Sequence, residues 1–178
     1  MPKNVKHYLL TALILGGVAA VSGAAIALTY FATINQININ DAKRIEKGLL
    51  EIYNDATFSE PINIEADKDS YLECYYEAKK DDNLLGYVFR TSGKNDYGKI
   101  TMLVGISTSY DIGHISLIVN EQSYAQTLVD SFVEPYNHDK KQMNDEDVTC
   151  GATFGATLVK NMAEEAKSWA EKHLGGGQ

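Results

Sequence analysis

The chain has 178 residues, with 16 Lys and Arg against 24 Asp and Glu and a formal net charge of -8. That length supports one domain with something added, and the acidic balance argues against a nucleic-acid partner, which calls for a clustered basic face. The two cysteines, Cys74 and Cys150, fit no zinc-ligand spacing, so no metal site is expected, and the sequence leaves their pairing open.

No charged residue occurs from Tyr8 to Ile34. A helix needs about 20 apolar residues to cross the hydrocarbon core, so this run is long enough to span. Lys3 and Lys6 precede it. Basic flanks stay cytoplasmic, so the expectation is a single-pass protein of the cell membrane with its N-terminus inside and its C-terminal domain outside. A cleaved signal peptide competes with this reading. Such peptides have a shorter apolar core, about 7–15 residues, followed by small residues. Small residues occur at Ala24 to Ala27, yet the apolar run continues through Leu28, Tyr30 and Phe31. Those two rings suit a membrane interface, which favours a retained anchor. Gly16, Ala20 and Ala24 repeat every fourth residue. This is either a face for close helix packing or the ordinary composition of such helices.

After the anchor, Asn40 or Asp41 can cap a second helix ending near Asn54, with Ile45, Leu49, Ile52 and Tyr53 on one face. Four strand-like runs follow, at Tyr71–Ala78, Leu84–Thr91, Lys99–Ser107 and Ile112–Asn120. They are rich in aromatic and β-branched residues, and short polar turns separate them. Links this short favour antiparallel neighbours. A short helix is predicted over Ala125–Phe132. A longer one follows, with Leu158, Val159, Met162, Ala163, Ala166, Trp169 and Ala170 as its apolar stripe. The expected fold is α+β: one N-terminal transmembrane helix, then a small, mostly antiparallel sheet packed with helices. The expected segments are 1–34 for the cytoplasmic tip and anchor, 35–58 for a linking helix, and 59–178 for an extracytoplasmic domain.

The stretch ahead of the last helix reads Gly-Ala-Thr twice, at Gly151–Thr153 and Gly155–Thr157, behind acidic residues. A helix N-terminus offers unpaired N–H groups and partial positive charge, which suits a phosphate. The glycines permit unusual backbone angles and close approach. Neither a Walker loop nor a dinucleotide-binding fingerprint is present. A threonine cap on a glycine turn is the plainer alternative. His7, His114, His138 and His173 are scattered, and no Ser/His/Asp or Cys/His constellation exists. All four histidines are read as structural or surface residues, and no catalytic residue is assigned.

Asp147-Val-Thr-Cys-Gly-Ala-Thr153 resembles the flavinylation motif of FMN-binding domains, as in the G subunit of the Rnf complex and the C subunit of the Na+-translocating NADH:quinone reductase. That pattern is Asp, two variable residues, Ser or Thr, Gly, Ala, Thr. The resemblance implies that Thr153 carries FMN through a phosphoester, with Asp147, Gly151 and Ala152 in motif positions. Cys150 replaces the usual hydroxyl residue, which keeps size but weakens hydrogen bonding. Thr157 lacks the acidic and hydroxyl partners of the pattern. The resemblance covers roughly residues 8–171, and Gly86-Tyr87, Gly105-Ile106 and Glu121 look like family positions. After that glutamate the family usually reads Thr-Pro-Gly-Leu-Gly, near the flavin ring. Here the segment is Gln122-Ser-Tyr-Ala-Gln126. Tyr124 is either a ring contact or a surface tyrosine.

The resemblance implies an electron-transfer subunit of an Rnf-type ferredoxin:NAD oxidoreductase coupled to Na+ or H+ translocation. It would be a redox relay with no active site of its own. Other membrane subunits and a flavin transferase are the implied partners. Two alternatives stay open: a stand-alone extracytoplasmic flavoprotein, and a non-redox membrane-anchored binding or assembly module.

Overall fold

In the computed structural model, residues 3–65, 67–139, 143 and 148–175 are described. The chain divides into two compact units, residues 1–43 and 44–178.

The first unit is helical throughout its described length. It lies within α1, Lys3–Ile52, which runs through residues 35–40 without a break. The anchor and the linking helix expected as two elements are therefore one helix. Asn40 or Asp41 reads as a cap that starts a second helix, but with neither Gly nor Pro nearby only weak propensity opposes a continuous one. The Val5–Ile52 portion is long and apolar enough to cross a membrane, with a mean hydropathy of 2.2 over an 18-residue stretch that is not buried in the protein. Thr11, Thr29 and Thr33 turn their hydroxyls back onto the carbonyls of His7, Ala25 and Thr29, at 2.8–3.0 Å. Polar side chains on this helix thus satisfy themselves internally, as an apolar surround demands.

The second unit is a six-stranded antiparallel sheet between helices. Its long strands are β3 (Leu72–Lys80), β4 (Asn83–Asn95), β5 (Gly98–Ser107) and β6 (Ile112–Asn120). Each pairs with the next in a meander. Two short strands, β1 (Thr57–Phe58) and β2 (Ile62–Asn63), share the outer edge of β3. The expected α+β class holds, with these two strands added. A helical segment follows β6, made of α2 (Ala125–Leu128), a π-helical turn (Val129–Val133) and α3 (Glu134–Asp139). The last helix, α4, spans Thr153–Leu174.

Alternation along the strands feeds two cores. On one face Phe89, Ile100, Met102, Val104 and Ile106 meet the predicted stripe of α4, including Leu158, Val159, Met162 and Ala166. On the other, Cys74, Tyr76, Val88 and Leu103 meet the end of α1 through Leu49, Ile45 and Ile52. Gly105 makes this second contact possible, because a Cβ there would sit 2.5 Å from Ile52 Cγ2. Gly86 does the same for Tyr53, whose hydroxyl donates to the Ile106 carbonyl at 3.1 Å. Two positions that look like family positions in the sequence are therefore contact points between helix and sheet. Both cysteines are free. Cys74 belongs to the α1-side core and Cys150 packs against the α4-side core, so the sheet separates them.

The outer edge of β6 is partly closed by a side chain. Ile115 donates its backbone N–H to Asn137 Oδ1 at 2.9 Å, and Asn137 Nδ2 donates to the Ile115 carbonyl at 2.8 Å.

Candidate functional site

Three chain segments that are distant in sequence converge at the start of α4. The β4–β5 turn brings Tyr97, the β6–α2 turn brings Gln122 and Tyr124, and the motif brings Gly151 to Gly155. Together with Leu128 they line a cleft of ≈ 280 Å³. This lies at the low end for small-molecule sites, which run about 300–1,000 Å³.

Thr153 is the first residue of α4, and its N-cap residue, Ala152, has no side chain that can cap the helix. The N–H groups of the first turn have no intrahelical acceptor by construction. With the helix dipole they make an electropositive rim. Ahead of them Gly151 holds φ +78°, a left-handed conformation that L side chains resist. Thr153 is half-buried, and its hydroxyl makes no hydrogen bond among the described residues. Thr157 is half-buried too but differs in its hydrogen bonding and its place. Its hydroxyl donates to the Thr153 carbonyl at 2.8 Å, one turn along the helix, and it does not line the cleft. Of the two threonines in the repeated triplet, Thr153 alone lines the cleft.

A polar latch joins the three segments. Gln122 is 7% exposed, and its Nε2 donates to Asn95 Oδ1 at 3.0 Å and to the Gly98 carbonyl at 2.6 Å. Asn95 Oδ1 also accepts the Tyr97 N–H at 2.9 Å, and Asn95 Nδ2 donates to the Phe154 carbonyl at 3.1 Å. A buried amide in such a network is costly to break, because each broken bond leaves a desolvated polar atom. Beside the latch, the rings of Tyr97 and Phe154 stack with centroids 4.9 Å apart and an interplanar angle of 20°.

Of the residues singled out in the sequence, Thr153, Gly151, Ala152 and Tyr124 share the cleft. Cys150 and Glu121 adjoin it without lining it. Glu121 contributes backbone instead, its N–H donating to the Lys99 carbonyl at 2.9 Å. Asp147 lies outside the described residues. Gln122 opens the segment that the resemblance sets near the flavin ring, though the residue itself was given no role, and Tyr97, Leu128 and Phe154 were missed. Phe154 carried a readable signal, since it is a large apolar residue off the buried stripe of α4. Tyr97 carried little, because only the fold brings its turn to the motif.

No family model matches the chain. It is similar to the G subunit of the ion-translocating oxidoreductase complex of Methanosarcina acetivorans, with 28% identity over 96 residues. The match covers 52% of this chain and 51% of the relative, so the chain spans about half the length of the curated relative it matches. This is the same kind of subunit that the motif resembles.

Proposed function

We propose that this chain is a membrane-anchored electron-transfer subunit of an Rnf-type ferredoxin:NAD oxidoreductase coupled to Na+ or H+ translocation, and that it carries FMN covalently on Thr153. The observation that carries the reading is the Thr153 hydroxyl, without a hydrogen-bond partner among the described residues, set at the start of α4 inside an aromatic-lined cleft. The similarity to a subunit of an ion-translocating oxidoreductase complex supports it.

The residues present fit the group. Thr153 Oγ would lose its proton and displace the leaving group at phosphorus of a flavin dinucleotide donor, breaking its pyrophosphate bond and releasing the nucleoside monophosphate; the chain's net gain is one FMN less one water. The first-turn N–H groups of α4 would take the phosphate oxygens, and the positive end of the helix would offset their charge. Gly151 would let the backbone bend away from the phosphate without a Cβ in the way. A flavin bound there supplies electron transfer, with position and electrostatics left to the protein. The cleft is small, so contacts alone would hold a cofactor weakly. A tether raises the local concentration of the ring and removes the dependence on tight binding. That matters for a domain outside the membrane, away from the cytoplasmic flavin pool.

In this reading α1 is the anchor. Residues 1–34 form its cytoplasmic and spanning part, 35–58 the link, and 59–178 the outer FMN-binding domain, with Lys3 and Lys6 fixing the orientation. A separate flavin transferase attaches the cofactor, and other membrane subunits exchange the electrons.

The test is the intact mass of the full chain co-expressed with a flavin transferase, for the parent, Thr153→Ala and Thr157→Ala. The expected result is a gain of one FMN less water in the parent and in Thr157→Ala, and none in Thr153→Ala. No gain in any of the three sinks the electron-carrier reading and leaves a binding or assembly module.

A further inference from the structure

Outside α1, five large apolar residues are exposed among the described residues: Ile62, Leu84, Tyr97, Tyr124 and Phe154. Three of the five line one cleft of ≈ 280 Å³. Scattered exposed hydrophobics need no explanation, but a concentration at a single concave site does. Two of these rings are already organised as a face. Tyr97 and Phe154 stack at 4.9 Å and 20°, though 40% and 63% exposed. Exposed stacking of this kind gains little for the fold, since the outer ring surfaces stay in water.

The backbone beneath the stack is held firmly. Asn95 bonds the Tyr97 N–H and the Phe154 carbonyl through its two amide ends, so one side chain sets the positions of both ring-bearing residues. Gln122 locks Asn95 in turn. Both hydrogens of Gln122 Nε2 are committed, to Asn95 Oδ1 and to the Gly98 carbonyl, and the latter can only accept. The remaining Oε1 lies 3.3 Å from where a Cβ would stand on Gly155, itself part of the lining. Gln122 therefore presents an acceptor, and no donor, beside the stacked rings.

We infer that the Tyr97–Phe154 stack is the ring-contacting wall of this site, with Asn95 and Gln122 as its positioning residues. The wall selects a planar heteroaromatic ring with an N–H donor on its edge. This rests on the flavin reading above. It assigns the ring environment to two turns and a motif neighbour, at the place where the segment Gln122–Gln126 departs from the usual family sequence.

The experiment uses the full chain co-expressed with a flavin transferase, as the parent and as Tyr97→Leu, Tyr97→Phe, Phe154→Leu, Asn95→Ala and Leu84→Ala variants. Intact mass reads the tether; flavin fluorescence yield and visible circular dichroism read the ring contact. A phenol in stacking contact quenches an excited isoalloxazine by electron donation, whereas a phenyl or alkyl side chain does not. The expected result is full added mass throughout, with a several-fold rise in yield in Tyr97→Leu and Tyr97→Phe. Visible dichroism is lost in Tyr97→Leu and Phe154→Leu and retained in Tyr97→Phe. Asn95→Ala falls between, and Leu84→Ala matches the parent. Full mass with yield and dichroism unchanged in Tyr97→Leu and Phe154→Leu overturns this inference alone. A parent without added mass overturns the flavin reading and this inference with it. Should Phe154→Leu lose the mass, through its place beside Thr153, Tyr97→Leu decides.

Discussion

The two ends of α4 carry aromatic clusters in opposite settings. Toward the C-terminal end, Trp169 lies 5.6 Å from Tyr75, 5.7 Å from Phe89 and 4.4 Å from His173, centroid to centroid. Phe89 is fully buried there, and the cluster is continuous with the core. At the N-terminal end, Tyr97 and Phe154 stack at 4.9 Å over open solvent. The same ring chemistry stabilises the fold where water is excluded and offers a surface where it is not. Exposure, rather than aromatic content, separates the packed end of this helix from the open one.

Truncation at each end breaks that comparison most directly. Trp169→Ala removes a large ring from a packed cluster and is expected to cost about 3 kcal/mol of unfolding free energy. Phe154→Ala removes an exposed ring, replaces it with a better helix former, and is expected to cost under about 1 kcal/mol. Denaturant unfolding of the purified chain in detergent measures both. Equal losses would mean that the exposed stack is structural after all.

The packed region also carries its own pH signature. Burial pushes the Tyr136 phenol up to about 12 from 10.0. Its hydroxyl donates to the Ile112 carbonyl at 3.0 Å, which only the protonated form can do. Tyr76 is pushed up to about 12 as well, first by burial and then by neighbouring Cys74. With the folded-state pKa above the unfolded one, the neutral phenol favours the fold. That contribution is complete below pH 10 and is lost as pH rises toward 12. Each tyrosine accounts for about 2–3 kcal/mol over that window. Denaturation midpoints taken between about pH 9 and 12 should fall steeply in the parent and less steeply in Tyr136→Phe. An equal slope in both would remove Tyr136 from the account.

A smaller effect, of opposite sign, tests how well the interior is satisfied. Thr91 is fully buried in β4, and its hydroxyl has no hydrogen-bond partner among the described residues. Thr91→Val removes an unpaired polar atom while keeping the branched shape, so a gain of about 1 kcal/mol is expected. A loss on thermal unfolding would point to a bond that the Thr91 hydroxyl makes in solution.

The long strands were legible from aromatic and β-branched runs bounded by polar turns, and α4 from its apolar stripe. The motif was legible because it is contiguous. What the sequence hid has three physical origins. Helix α1 passes through an asparagine-rich stretch, where local propensity is too weak a guide. Strands β1 and β2 are two residues each, too short for any period, and exist because β3 offers an edge. The residues Tyr97 and Gln122 reach Thr153 only through the meander and the latch, so their contribution is a property of topology rather than of spacing. Cys74 and Cys150 belong here too, since only the sheet reveals that it stands between them.

The bidentate hold of Asn137 on Ile115 bears on how the protein tolerates crowding. A sheet margin with open N–H and C=O groups is a template on which another copy can grow, and proteins blunt such margins. Here the margin along β6 is answered by an amide that imitates one residue of a neighbouring strand. The opposite margin is taken by two fragments too short to seed a ladder. Polymerisation through strand addition is thereby discouraged at both ends of the sheet. A chain whose first helix can confine it to a two-dimensional film, where copies collide often, gains most from that restraint.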